Sequence, residues 1–214
     1  MALNYFNTGF LINNRNIFEI SKQNLDEFDR IIQDDSLRYH GKKNIRVLNN
    51  IEIKKFEHLN NIFEKISKYL KSNLSNLDIS FEDVWVQESK FITYEKDKLP
   101  FIPHIDKIRK FKVMVYINDI NSDAGPISFF KIDPNLMEDK RLNSKNEIDN
   151  LNKKEFTECI GKLGTVILFD TNCPHFAGSF SNKESIRKIY RFNYAYNFLE
   201  KKNIFSRIIP SFLK

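Results

Sequence analysis

Apolar positions along this chain change their period partway through. Leu25, Phe28, Ile31 and Ile32 fall on one face at helical spacing, and Ser21 can cap the first turn, which predicts a helix over roughly 22–34. A stronger helix is predicted over about 55–74, where Phe56, Leu59, Phe63, Ile66 and Leu70 follow at three- and four-residue steps. Before both, the short apolar run Gly9-Phe10-Leu11-Ile12 reads as an edge strand. From about residue 82 the pattern turns to strands. Val84 to Tyr94 carries Trp85, Val86, Phe91 and Ile92. Lys110 to Asn118 alternates, with Phe111, Val113, Val115 and Ile117 on one face and Lys112, Met114 and Tyr116 on the other.

Asn121 to Pro126 is turn chemistry, and Ile127 to Ile132 resumes the sheet. Residues 134–158 are polar without a clean period and are expected to leave the sheet as a long binding loop or lid. Gly164 to Asp170 and Arg187 to Phe198 complete the strand set. Strands joined by turns, with helices ahead of them, predict a mainly β fold with flanking helices, an antiparallel sandwich or jelly roll. The expected organisation is one domain over 1–214, its helical and mixed part (1–80) packed on a jelly-roll core (81–198).

Composition narrows the function classes. No run of 18 apolar residues offers a membrane span, and the first residues lack the basic flank and apolar stretch of a signal peptide. A soluble cytoplasmic protein is the expectation. Cys159 and Cys173 are too few for a disulfide framework; Cys173, two residues before a histidine, reads as a free thiol rather than a ligand. The net charge of +6 comes from lysines scattered along the chain, so nucleic acid is not the expected partner. Locally, Lys107, Arg109, Lys110 and Lys112 cluster after His104 and Asp106. As a positive rim they could draw in an anionic small-molecule substrate, with Lys107, Arg109 and Lys112 as contacts; a solvated edge is the plainer reading.

The candidate chemistry lies in His104-Ile105-Asp106 and in His175 of Cys173-Pro174-His175-Phe176. Two imidazoles and one carboxylate can cap one face of a divalent metal and leave its other positions open, the ligand set of non-haem Fe(II) oxygenases. Residues i and i+2 of a strand share a side, so His104 and Asp106 can converge. His175 is expected from a strand facing them across the barrel mouth. Arg187, twelve positions after His175, can anchor the carboxylate of an oxo-acid. Arg191 has the same strand parity and is the alternative anchor. Gln87, seventeen positions before His104, is a further cosubstrate candidate if it points inward. His58 and His40 have no spaced partner and are read as ordinary surface or core histidines.

The segment from about 84 to 197 resembles the Fe(II)/2-oxoglutarate-dependent oxygenases of the phytanoyl-CoA dioxygenase type. The likeness rests on His104-Ile105-Asp106, Gly125-Pro126-Ile127-Ser128-Phe129, Gly164-Thr165-Val166-Ile167-Leu168-Phe169-Asp170 leading to His175, and Ile186-Arg187-Lys188. Thr8-Gly9-Phe10-Leu11-Ile12 is similar to that family's opening strand. The resemblance implies a double-stranded β-helix, with Fe(II) on His104, Asp106 and His175 and with 2-oxoglutarate paired to Arg187. It implies O2-dependent C–H hydroxylation yielding succinate and CO2. With Asp106 in the place that Gly or Ala takes in related halogenases, hydroxylation is favoured over halogenation. Phe130-Lys131-Ile132-Asp133-Pro134-Asn135 departs from the Pro-Gly-Ser-His turn of many relatives, which leaves the substrate open.

Two alternatives carry less weight. Arg191-Phe192-Asn193 resembles the start of the last motif of nucleic-acid-demethylating dioxygenases, but the second Arg expected six positions on is Asn197. A non-catalytic metal-binding β-barrel would keep the triad and give Arg187 no task. Hydrolytic zinc chemistry leaves Arg187 idle as well.

Overall fold

The computed structural model describes residues 9–13, 19–38, 44–74, 77–91, 103–137 and 155–198. Two helices carry the predicted helical patterns. The first, α1 (Lys22–Gln33), begins at Ser21 in a capping box: Asn24 N–H donates to Ser21 Oγ, and Asn24 Oδ1 accepts from Ser21 N–H. A one-turn helix, α2 (Asn50–Ile53), is capped by Asn49 and was not expected. The next, α3 (Glu57–Asn73), buries Leu59, Ile62, Phe63, Ile66 and Leu70.

The N-cap of α3 is Phe56, which has no side-chain acceptor to offer. Glu27 of α1 supplies it instead: the buried carboxylate accepts from the backbone N–H of Leu59 at 2.7 Å and of His58 at 3.3 Å. A negative charge at a helix N-terminus also meets the positive end of the dipole. One charged side chain thereby ties the two helices together.

Among the described residues there are nine strands, in chain order β1 (Phe10–Asn13), β2 (Ile45–Leu48), β3 (Leu77–Lys90), β4 (Phe111–Tyr116), β5 (Ile127–Phe130), β6 (Phe156–Glu158), β7 (Val166–Asp170), β8 (His175–Ala177) and β9 (Ile186–Phe198). They form an antiparallel six-stranded sheet, β1-β7-β4-β9-β3-β2, and an antiparallel three-stranded sheet, β6-β5-β8. Gly9–Ile12 supplies an edge strand, as its pattern predicts. β3 starts seven residues before the predicted Val84, and the predicted strand's residues 92–94 lie outside the described residues. The expected excursion over 134–158 is corrected at its end, because Phe156–Glu158 pairs with β5 as a strand. Its residues 138–154 lie outside the described residues, as does His40.

The alternation along β4 sorts its side chains between two cores. Phe111, Val113, Val115 and Ile117 pack with the helices, together with Tyr190, Phe192 and Tyr194 of β9. Met114 and Tyr116 face the other way, into a core shared by the two sheets with Ile127, Phe129, Ile167, Phe169 and Ile189. Phe10 of one sheet stacks on Phe129 of the other at 4.7 Å between centroids. The layers are thus helices, large sheet and small sheet, the predicted jelly roll. Gly125, at φ +59°, lets the turn before β5 close onto the turn after β8: a Cβ there would lie 2.1 Å from the Gly178 carbonyl oxygen.

Candidate metal and cosubstrate site

Between the sheets a cavity of about 130 Å³ is lined by His104, Asp106, His175, Arg187, Arg191, Gln87 and Lys112, with Met114, Tyr116, Ile127, Phe169, Ala177 and Ile189 forming the rest of its wall. Strand parity delivers these groups. Gln87 on β3, Lys112, Met114 and Tyr116 on β4, and Arg187, Ile189 and Arg191 on β9 all take the inward position.

His104, Asp106 and His175 each bring one ligand atom to within 4.8 Å of the others. Asp106 Oδ1 lies 3.7 Å from His104 Nε2 and 3.8 Å from His175 Nε2. His175 does not come from across the mouth, which corrects that expectation. It is the backbone neighbour of His104, each accepting the other's N–H at 2.9 Å in an isolated antiparallel bridge. The imidazoles consequently lie side by side, 4.5 Å between centroids. Asp106 follows in a segment held by its own N–H to the Thr171 carbonyl.

The protonation states suit metal binding. His175 Nδ1 lies 2.9 Å from the Cys173 carbonyl, which places the proton on Nδ1 and leaves the Nε2 lone pair facing Asp106. Burial, with His104 second, pushes the His175 imidazolium down to about 3 against the pull of Asp106, so the ring is neutral. Burial works to raise the Asp106 carboxyl, but Lys112 above all, and the two histidines, hold it below the usual carboxylate range. Lys112 Nζ takes Asp106 Oδ2 at 2.5 Å, leaving Oδ1 to the imidazoles.

Two arginines share the cavity. Arg187 is buried, its guanidinium 5.4 Å from the Phe180 ring centroid, and its Nη1 has no hydrogen-bond partner among the described residues. The Arg191 guanidinium lies over the Trp85 ring, 3.6 Å from its centroid, and its Nε likewise has no hydrogen-bond partner among the described residues. Burial lowers both to about 10, with Tyr116 opposing at Arg187 and Asp106 and Asp83 opposing at Arg191; both stay charged at neutral pH. Gln87 points inward and donates from Nε2 to Ser89 Oγ at 3.0 Å. Lys112, burdened first by burial and then by the charge of Arg191, falls to about 8.

The four clustered basic residues do not form one rim. Lys107 is exposed and is not among the described lining residues. Arg109 pairs with Asp170 at 2.6 Å, and Lys110 with Glu82. Lys112 alone points inward. Cys173 is fully buried, its Sγ 3.5 Å from the Phe130 carbonyl oxygen, and serves the site through its own carbonyl. Sequence reasoning missed Trp85 and Tyr116 as site residues, though they share strand parity with Gln87 and Lys112.

No family model and no curated protein matches this chain. Solved structures do. One is the non-haem alpha-ketoglutarate-dependent carbocyclase SnoK from nogalamycin biosynthesis, at TM-score 0.68, 11% identity, and 94% of this chain over 86% of that one. Its companion epimerase SnoN matches at 0.65 and 14%, covering 91% and 80%. EctD from S. alaskensis, solved with 2-oxoglutarate and 5-hydroxyectoine, matches at 0.67 and 13%, covering 90% and 74%. What is shared at such identities is the fold, a double-stranded β-helix.

Proposed function

We propose that this protein is an Fe(II)- and 2-oxoglutarate-dependent dioxygenase that hydroxylates a C–H bond of a small polar or anionic molecule. The observation that carries the reading is convergence: two imidazoles and a carboxylate meet in the same cavity as a buried arginine whose Nη1 has no hydrogen-bond partner among the described residues. The donor set fits Fe(II), which takes borderline nitrogen and hard oxygen ligands and needs open positions for a chelating acid and O2. SnoK and SnoN are alpha-ketoglutarate-dependent, and EctD was solved with 2-oxoglutarate, which supports the same cosubstrate here.

In this reading His104, Asp106 and His175 hold the iron. Lys112 keeps Asp106 turned so that one oxygen faces the metal position. Bound iron(II) with 2-oxoglutarate supplies O2-dependent oxidative decarboxylation to succinate and CO2, coupled to oxidation of a substrate C–H bond. Arg187 is the anchor for the far carboxylate. It lies four residues along β9 from Arg191, about 13 Å at strand rise, and unlike Arg191 its charge is not set by Asp106. An elongated diacid chelated at the triad end therefore presents its other end to Arg187. Phe180 beside its guanidinium and Ile189 two positions along the same strand face limit water there, which strengthens the ion pair.

Anaerobic titration of Fe(II)-loaded protein with 2-oxoglutarate tests this. A metal-to-ligand charge-transfer band is expected, absent in His104→Ala and needing far more cosubstrate in Arg187→Ala. Bound Fe(II) with no band in wild type would reject the reading.

A further inference from the structure

The cavity holds more positive charge than the proposed reaction uses. Lys112, Arg187 and Arg191 line it against one carboxylate, Asp106, among the described lining residues. A divalent metal and a dianionic acid cancel each other, so loading the site as proposed above leaves two cations in excess. Buried cations are costly unless a counter-ion completes them. Arg187 is matched to the cosubstrate and Asp106 is shared between Lys112 and the metal position, which leaves Arg191 and the unmet part of the Lys112 charge.

These two are neighbours by register. On β4 and β9, Lys112 pairs with Asn193 and Met114 with Arg191, so Lys112 and Arg191 stand diagonally on the inward face. Both lie at the triad end, where Lys112 touches Asp106. The Arg191 guanidinium is packed over Trp85, while its Nε N–H has no partner among the described residues. A planar donor edge beside an ammonium matches a carboxylate.

We infer that Arg191 and Lys112 form the subsite for a carboxylate of the substrate, which makes the substrate a small carboxylic acid. This rests on the oxygenase reading for its count of charges. Of the expected substrate contacts Lys107, Arg109 and Lys112, only Lys112 is kept, and Arg191 joins it inside the cavity.

Trp85 is the only tryptophan of the chain, and it stacks on Arg191, so its fluorescence reports this subsite. Anaerobic protein saturated with Fe(II) and 2-oxoglutarate is titrated with acetate and benzoate, with acetamide and benzamide as neutral controls, and with inorganic phosphate. A saturable Trp85 response to the carboxylates and not to the amides is expected. Arg191→Gln should weaken it about tenfold or more, the scale of a lost charge-assisted hydrogen bond. Lys112→Met should weaken it as well, and Arg191→Lys should fall between. The half-saturating 2-oxoglutarate, read from the charge-transfer band, should move less than about threefold in Arg191→Gln, since the two sites are separate. The retained band shows that the variant is folded.

Equal responses to acids and amides, no response to any probe, or a response to phosphate alone would each overturn the inference. So would a large rise in the 2-oxoglutarate requirement of Arg191→Gln, which would make Arg191 a second cosubstrate anchor. If wild type gives no charge-transfer band but Trp85 still answers carboxylates selectively, the oxygenase reading fails and the anion subsite stands.

Discussion

Arg109 and Asp170, sixty-one residues apart, lock together through three close contacts: Arg109 Nε lies 3.1 and 3.0 Å from the two carboxylate oxygens, and Nη2 lies 2.6 Å from Oδ2. Tyr196 Oη donates to the same carboxylate at 3.0 Å, and the Asn172 N–H at 2.9 Å. Asp170 ends β7 and Asn172 begins the turn to His175, whereas Arg109 closes the segment that carries His104 and Asp106. The pair therefore holds the two ligand-bearing segments in register.

Arg109→Ala should act on both stability and metal affinity. Both side chains are mostly buried, so the loss leaves a half-satisfied carboxylate, costing about 1–3 kcal/mol. Urea unfolding of wild type and variant measures that. Metal titration should show weaker binding although Arg109 is not a ligand. An unchanged affinity would mean that the backbone bridge between His104 and His175 is enough to align the triad.

Glu27 gives a prediction away from the site. Removing the carboxylate in Glu27→Ala leaves the buried start of α3 without its acceptor, and Phe56 has none to substitute. Loss of a cap costs about 0.5–2 kcal/mol, and Glu27→Gln, which keeps one acceptor oxygen, should recover part of it. A denaturant midpoint within error of wild type in Glu27→Ala would show that the helix end is satisfied by other means.

Gly125→Ala combines a positive φ with no room for a methyl group, since the obstacle is the Gly178 backbone rather than a flexible side chain. The turns on either side of β5 and β8 would have to separate. A fall in thermal midpoint is expected, larger than the cost of about 1 kcal/mol usual for a strained αL residue.

What the sequence pattern reveals depends on how local the signal is. Lys112, Met114 and Tyr116 were legible as one strand face because alternation is a two-residue rule, but that this face lines the cavity was not. Arg187 and Arg191 were linked by the same parity, whereas the aim of Gln87 was open in the sequence and is given by its register with Ile189 on β9. Ser21 was legible as a cap because it lies next to the helix it serves. Glu27 was not, since its partners are thirty-one and thirty-two residues away and a glutamate within an amphipathic helix looks solvated. The adjacency of His104 and His175 is a long-range pairing, and no local period encodes which strand ends meet. β6 escaped notice because three residues in a polar stretch carry no period, and its Phe156 is half exposed, packing on Phe176 at 5.3 Å between centroids. The basic cluster misled because only Lys112 lies within β4, on its inward face, whereas Arg109 and Lys110 precede the strand and pair with Asp170 and Glu82, and Lys107 is exposed.

His175 should make the metal-free protein acid-sensitive in a defined window. Its folded value is depressed, from 6.5 to about 3, because burial and His104 disfavour the imidazolium. Above pH 6.5 the ring is neutral in both folded and unfolded chains, and its contribution is fully present. As pH falls below 6.5 the unfolded chain takes up a proton that the folded one refuses, so stability declines until the folded ring itself titrates. One such proton corresponds to a slope of up to about 1.4 kcal/mol per pH unit. Urea unfolding of metal-free protein between pH 7.5 and about 4.5 measures the slope; that range stays above the Asp106 titration, whose folded value is also depressed and adds its own loss only at lower pH. His175→Gln should remove one proton's share of the slope. Saturating metal should leave His175's share of the slope unchanged over this range, because the ring that binding requires is already neutral in the folded chain. Identical slopes in wild type and His175→Gln would mean that the imidazole takes its proton in the folded chain as readily as in the unfolded one.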